Sequence, residues 1–132
     1  MAYDNSEREA EGLMEFKEIL GELVERVDGA RAAILMGYDG IAIDEYRKEG
    51  VDTDIQLIGI EYSSILKEMK RASEILEAGE VAEVSIVTGK GMVVVRGVTD
   101  EYFVMVSLTV DGNLGKARYL MKMAAPKLKN LL

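Results

Sequence analysis

The chain has 132 residues, no cysteine, histidine or tryptophan, one proline and a net charge of -8. That length suits one domain with one core, and the missing residue types exclude disulfides, thiolate chemistry, zinc-cysteine sites and the commonest general base and metal ligand. The negative charge argues against nucleic acid, whose phosphates need clustered lysine and arginine; the absence of any long apolar run and an acidic start unlike a signal peptide argue for a cytoplasmic protein with no membrane insertion.

Taken in chain order, Ser6-Glu7-Arg8-Glu9 has capping-box spacing, and Leu13, Phe16, Leu20, Leu23 and Val27 then recur at helical steps before Asp28-Gly29. This predicts a first helix with one apolar stripe, preceded by a flexible stretch over residues 1–8. "RAAILMGY", Asp39-Gly40 and "IAIDEYRK" predict two strands joined by a tight turn. A long helix is expected from about Ile55 to Ala78, capped by Thr53 or Asp54 and stopped by Gly79. Its residues Ile58, Tyr62, Ile65, Met69, Ala72 and Leu76 fall within about 40° of one line at 100° per residue, a stripe expected to lie on a sheet. Leu57, Gly59, Ile60, Ser63 and Ser64 lie about 100° or more from that stripe, so a second surface is expected to cover them.

"EVSIVTG", "MVVVRGV" and "YFVMVSLTV", separated by turn residues, predict three strands in an antiparallel meander. A last helix follows over Leu114 to Leu132, with Pro126 expected to kink or shift it. The order is helix, two strands, helix, three strands, helix: an α+β domain with a five-stranded antiparallel sheet and helices on its faces, spanning residues 1–132. Residues 1–30 carry nine acids against three bases, whereas Lys116, Arg118, Lys122, Lys127 and Lys129 face no acid in the last twenty residues. The two end segments are therefore expected to attract each other if the fold sets them side by side.

Chemical motifs are sparse. "GNLGKA" lacks the four-residue spacing and the hydroxyl of a phosphate-binding loop, so Asn113 reads as a helix cap and Gly115 as a point of close backbone approach. "DTD" at 52–54 lacks the remaining ligands of a calcium loop, and Asp39, Asp44 and Glu45 have no nucleophile or oxyanion donor beside them. Met36, Met69, Met105 and Met121 read as core residues. No catalytic residue, metal site or cofactor is expected.

The element order, "GYDGIAID", the long striped helix and "TVDGNLGKARYLM" together resemble the Roadblock/dynein-light-chain family, most like its bacterial MglB-type members. The resemblance covers residues 10–132 and rests on Asp39-Gly40 and Asn113-Leu114-Gly115 in order and spacing. It implies that the first and last helices share one sheet face and the long helix takes the other. It further implies a homodimer in which the strand Glu83, Val84, Ser85, Ile86, Val87 pairs with its copy. The long helices would then pack together, Gly59, Ser63 and Ser64 allowing close approach and Leu57 and Ile60 supplying apolar contact. Family members regulate or scaffold small Ras-like GTPases, and the MglB type stimulates hydrolysis. Lys67, Lys70, Arg71 and Glu74 are the outward charges expected to meet such a partner. An adaptor subunit of a motor or other complex and a small-ligand sensor remain open alternatives.

Overall fold

The computed structural model describes residues 5–132, apart from the side chains of residues 5, 8–10, 13 and 14. Eight elements follow one another: α1 (Asn5–Glu25), β1 (Ala30–Gly37), β2 (Ala42–Arg47), α2 (Ile55–Ile75), β3 (Glu83–Thr88), β4 (Gly91–Gly97), β5 (Tyr102–Leu108) and α3 (Leu114–Leu131). Ser6 lies inside α1, while Arg8, Glu9 and Leu13 of the expected cap and stripe, and residues 1–4 of the expected flexible start, lie outside the described residues or side chains. The strands form one sheet in the order β2-β1-β5-β4-β3, every neighbouring pair antiparallel. This is the open five-stranded antiparallel sheet with three helices that the resemblance implies.

Alternation along the central strands splits the core in two. Ala33 and Leu35 of β1, Met92 and Val94 of β4, and Val104, Val106 and Leu108 of β5 meet Phe16, Leu20 and Leu23 of α1, Val27 just beyond it, and Ala117, Met121 and Leu128 of α3. On the other face Ala32, Ile34, Met36, Val93, Val95, Phe103 and Met105 meet Ile55 and Leu66 of α2. The central strands thus have a period of two. In β2 the register shifts between Leu35 and Met36, so Leu35 faces Asp44 while Met36 faces Ala42. That irregularity interrupts the alternation of sides along β2, and both Ile43 and Tyr46 reach the α1 side.

Two local expectations are corrected. The close backbone approach belongs to Gly112, not Gly115: a β-carbon on Gly112 would stand 3.1 Å from both the Leu108 β-carbon and the Thr109 carbonyl, whereas on Gly115 the nearest atom is 3.8 Å away. Gly112 stacks on Gly29, which has φ +83, and the Asn113 amide donates to the Asp28 carbonyl at 2.8 Å. The turn into β1 and the turn into α3 therefore pack backbone to backbone, which only glycines permit. Secondly, α2 ends before Gly79. The Ala78 amide donates to the Ser73 carbonyl and the Glu77 amide to the Glu74 carbonyl, a Schellman pattern that places Glu77 at φ 53. α3 runs through Pro126 without ending.

Candidate functional site

The side chain of Asp54 accepts the Leu57 amide at 3.1 Å and starts α2. The helix lies on the sheet through Ile55, Gly59, Ser63 and Leu66, all buried. A β-carbon on Gly59 would stand 2.8 Å from the Met36 sulfur, so this glycine lets α2 approach β1. Gly59 and Ser63, expected to face a partner helix, are covered by their own chain; of that group Leu57, Ile60 and Ser64 are exposed.

The phase of the long stripe also differs from the expected one. Ile58 and Tyr62 are partly buried, but Ile65, Met69, Ala72 and Leu76 are exposed, Ile65 to 48% and Leu76 to 75%. The stripe lies on a flank of α2 because the small residues, not the large ones, mark where the helix sits closest to the sheet. Met69 accordingly leaves the core, while Met36, Met105 and Met121 stay in it. An exposed apolar row of this length differs from scattered surface residues and is the kind of surface that a partner covers.

Beside this row the sheet ends in β3, whose second edge has no strand on it among the described residues. Val84 and Ile86 tuck under α2, Ser85 and Val87 are exposed, and Glu83 anchors the strand to α3. Both Nε and Nη2 of Arg118 donate to Glu83 Oε2, at 3.0 and 2.7 Å, and Arg96 stands 3.9 Å from the other oxygen. The Arg118 hydrogen bond, followed by the charges of Arg118, Arg96 and Lys122, holds the Glu83 carboxyl below its usual range against the opposing effect of its partial burial. Sequence spacing does not show this pair, since its members lie 35 residues apart and meet only through the sheet.

The four outward charges of α2 do not form one set. The Lys70 ammonium lies over the Tyr38 ring and donates to the Asp100 carbonyl, so this lysine is a tie between α2, the turn that follows β1 and the turn after β4. Burial pushes the Tyr38 phenol up, helped by Glu80 and Asp100. Arg71 pairs with Glu68 one turn away at 3.2 Å, both exposed, and Lys67 and Glu74 are exposed. The half-open hollow among Tyr38, Leu66, Val84 and Val95 has about 10 Å³ of room, enough for one water. A wider open groove of about 1100 Å³ runs between the end of α2 and Lys129, lined by both signs of charge including Glu77, Glu80, Arg96 and Asp100.

At the β5–α3 junction the side chain of Asn113 accepts the Lys116 amide at 3.0 Å, so "GNLGKA" is a capped turn. Among the described residues no acidic group is arranged to hold a metal ion, and no helix is long and apolar enough to cross a membrane.

The Roadblock/LC7 domain profile matches residues 16–108. The chain is 38% identical to MglC from Myxococcus xanthus, over 90% of this chain and 100% of that one, with a TM-score of 0.67. An MglB structure with a tetrameric arrangement superimposes with a TM-score of 0.81 at 16% identity, over 99% of this chain and 93% of that one. MglB from Myxococcus xanthus gives 0.76 at 15% identity, over 89% and 94%. Identities this low carry the fold alone. None of the curated proteins compared with the chain matches it significantly.

Proposed function

Because the chain belongs to the Roadblock/LC7 family, we propose that it acts as a non-enzymatic homodimer that regulates or scaffolds a small Ras-like GTPase. The observation that carries this reading is the apolar flank of α2, Ile65, Met69 and Leu76, standing exposed beside the free edge of β3. Pairing β3 with its copy would satisfy an edge that is otherwise an aggregation hazard and would bring the two α2 flanks together across a two-fold axis. Leu57, Ile60 and Ser64, farther round the helix, would then join Lys67, Arg71 and Glu74 on the surface offered to the GTPase. A stable dimer of this kind buries about 1,200 to 2,000 Å².

Regulation follows from differential affinity. A dimer that binds the GTP form more tightly than the GDP form shifts the GTPase toward the conformation in which its own residues are aligned for hydrolysis. Arg71, the arginine of α2, is held by Glu68 and is not required as an inserted arginine finger in this reading. The test is a titration of the protein, sized by light scattering, against a Ras-like GTPase loaded in turn with GDP and a non-hydrolysable GTP analogue. Dimer mass with tighter binding of the GTP form supports a regulator. Equal affinity makes it a tether and favours the adaptor reading, because a ligand that binds two states equally shifts neither.

A further inference from the structure

Glu83, Ser85 and Val87 of β3 lie opposite Arg96, Val94 and Met92 of β4, so they share the sheet face that carries α1 and α3. α3 packs on β4 and β5 and leaves β3 bare, with Val87 68% exposed. The rim of α3 above this bare strand is basic. Arg118 reaches down to Glu83, and Lys122 and Lys129 follow four and eleven residues later, all three exposed. At 100° per residue they fall within about 40° of one line, whereas Lys127 beside α1 points to the opposite side of the helix.

The next step rests on the homodimer proposed above. With β3 paired to its copy, the strands across the joint run β5-β4-β3-β3-β4-β5. The two α3 axes, each over β4 and β5, then stand four strand spacings apart, roughly 19 Å. Packed helices approach to about 8–10 Å, so the gap between the two α3 helices admits one further helix.

We propose that this channel binds an acidic amphipathic helix of a partner protein, its carboxylates facing Arg118, Lys122 and Lys129 of both copies and its apolar stripe resting on Val87 and its copy. Charge complementarity carries the choice of occupant. The chain has a net charge of -8, yet α3 carries no acid, the acid in the channel floor, Glu83, is already paired with Arg118 and Arg96, and Glu77, Glu80 and Asp100 share the groove beside Lys129 rather than the stretch beside Arg118 and Lys122. A bilayer is too flat to enter the gap, and nucleic acid brings no apolar stripe for Val87. The surface lies on the opposite side of the sheet from α2, so it can be filled while the GTPase-facing surface is engaged.

The test uses the full chain and a fluorescein-labelled peptide of about 18 residues, leucine along one helical stripe and glutamate elsewhere, read by anisotropy and compared with a scrambled peptide. Lys122→Glu with Lys129→Glu is expected to weaken binding about tenfold or more, while Lys116→Glu with Lys127→Glu, an equal change of net charge, leaves it within about twofold. Light scattering on the same samples separates the two ideas. Dimer mass without peptide binding, or equal loss in both double variants, overturns the channel alone; monomer mass overturns the dimer and the channel with it. Tighter binding of a poly-dT oligonucleotide or of phosphatidylserine vesicles than of the peptide, lost in the Lys122/Lys129 variant, overturns the assigned occupant.

Discussion

The ammonium of Lys70 lies 3.8 Å from the centre of the Tyr38 ring and donates a 2.6 Å hydrogen bond to the carbonyl of Asp100. One side chain thereby joins α2 to the turn that follows β1 and to the β4–β5 turn. Lys70→Met keeps the stem and removes the charge, so it is expected to cost about 1–2 kcal/mol in urea unfolding at fixed protein concentration. Lys67→Met, on the exposed side of the same helix, is expected to stay within about 0.5 kcal/mol. Equal costs would show that the tie contributes nothing of its own.

Glu77 closes α2 in the left-handed region that glycine occupies without strain, and its side chain is exposed. Glu77→Gly is expected to stabilise the protein by about 1 kcal/mol, seen as a higher urea midpoint with an unchanged slope. A loss of stability instead would mean that the Glu77 carboxylate makes an interaction worth more than the backbone strain.

Gly29 carries φ +83, and a β-carbon there would run into the α-carbon of Gly112. Gly29→Ala combines backbone strain with a collision against another backbone, neither of which a rotamer change relieves. The expected loss is about 2–4 kcal/mol, against little change for Gly50→Ala beyond the cost of its own positive φ, since nothing stands within 4 Å of Gly50.

The Glu83 carboxyl, lowered from 4.5 chiefly by its Arg118 hydrogen bond, gives the fold a pH dependence of known sign. A group depressed in the folded state contributes stability that is fully present above its unfolded value and is lost as pH falls through the folded one. Wild-type stability should therefore decline as the pH is lowered below about 4.5, and Glu83→Gln should flatten that decline. Chemical denaturation at steps between pH 6 and pH 3 reads the difference; parallel curves would mean that the pair adds nothing to folding.

Met69→Glu sets a carboxylate on each α2 flank where the proposed dimer brings the two copies together. Since Met69 is 37% exposed in the single chain, the substitution leaves the fold intact and acts on association. Light scattering is expected to show the mass halve with the circular dichroism spectrum retained. A dimer that persists would move the interface away from this flank.

The periodicities of this chain were enough to place all eight elements in order. A strand such as Tyr102–Leu108 and a helix such as α3 bury their apolar residues by local repeat alone, and Asp54 and Asn113 act as caps on amides three residues away. Phase was harder to read. The six-residue stripe of α2 has helical spacing whichever way the helix is rolled, and only contact with Met36 shows that Gly59 faces the sheet while Ile65 and Met69 do not. Glu77 took the left-handed position two residues before the glycine expected to hold it, closing α2 with hydrogen bonds back to Ser73 and Glu74. The partners of Glu83 and Lys70 lie 35 and 30 residues away, so their meeting depends on strand order. Local physics acts over the few residues within reach of one another along the chain and determined the elements. The surfaces they leave exposed were decided only when distant segments packed.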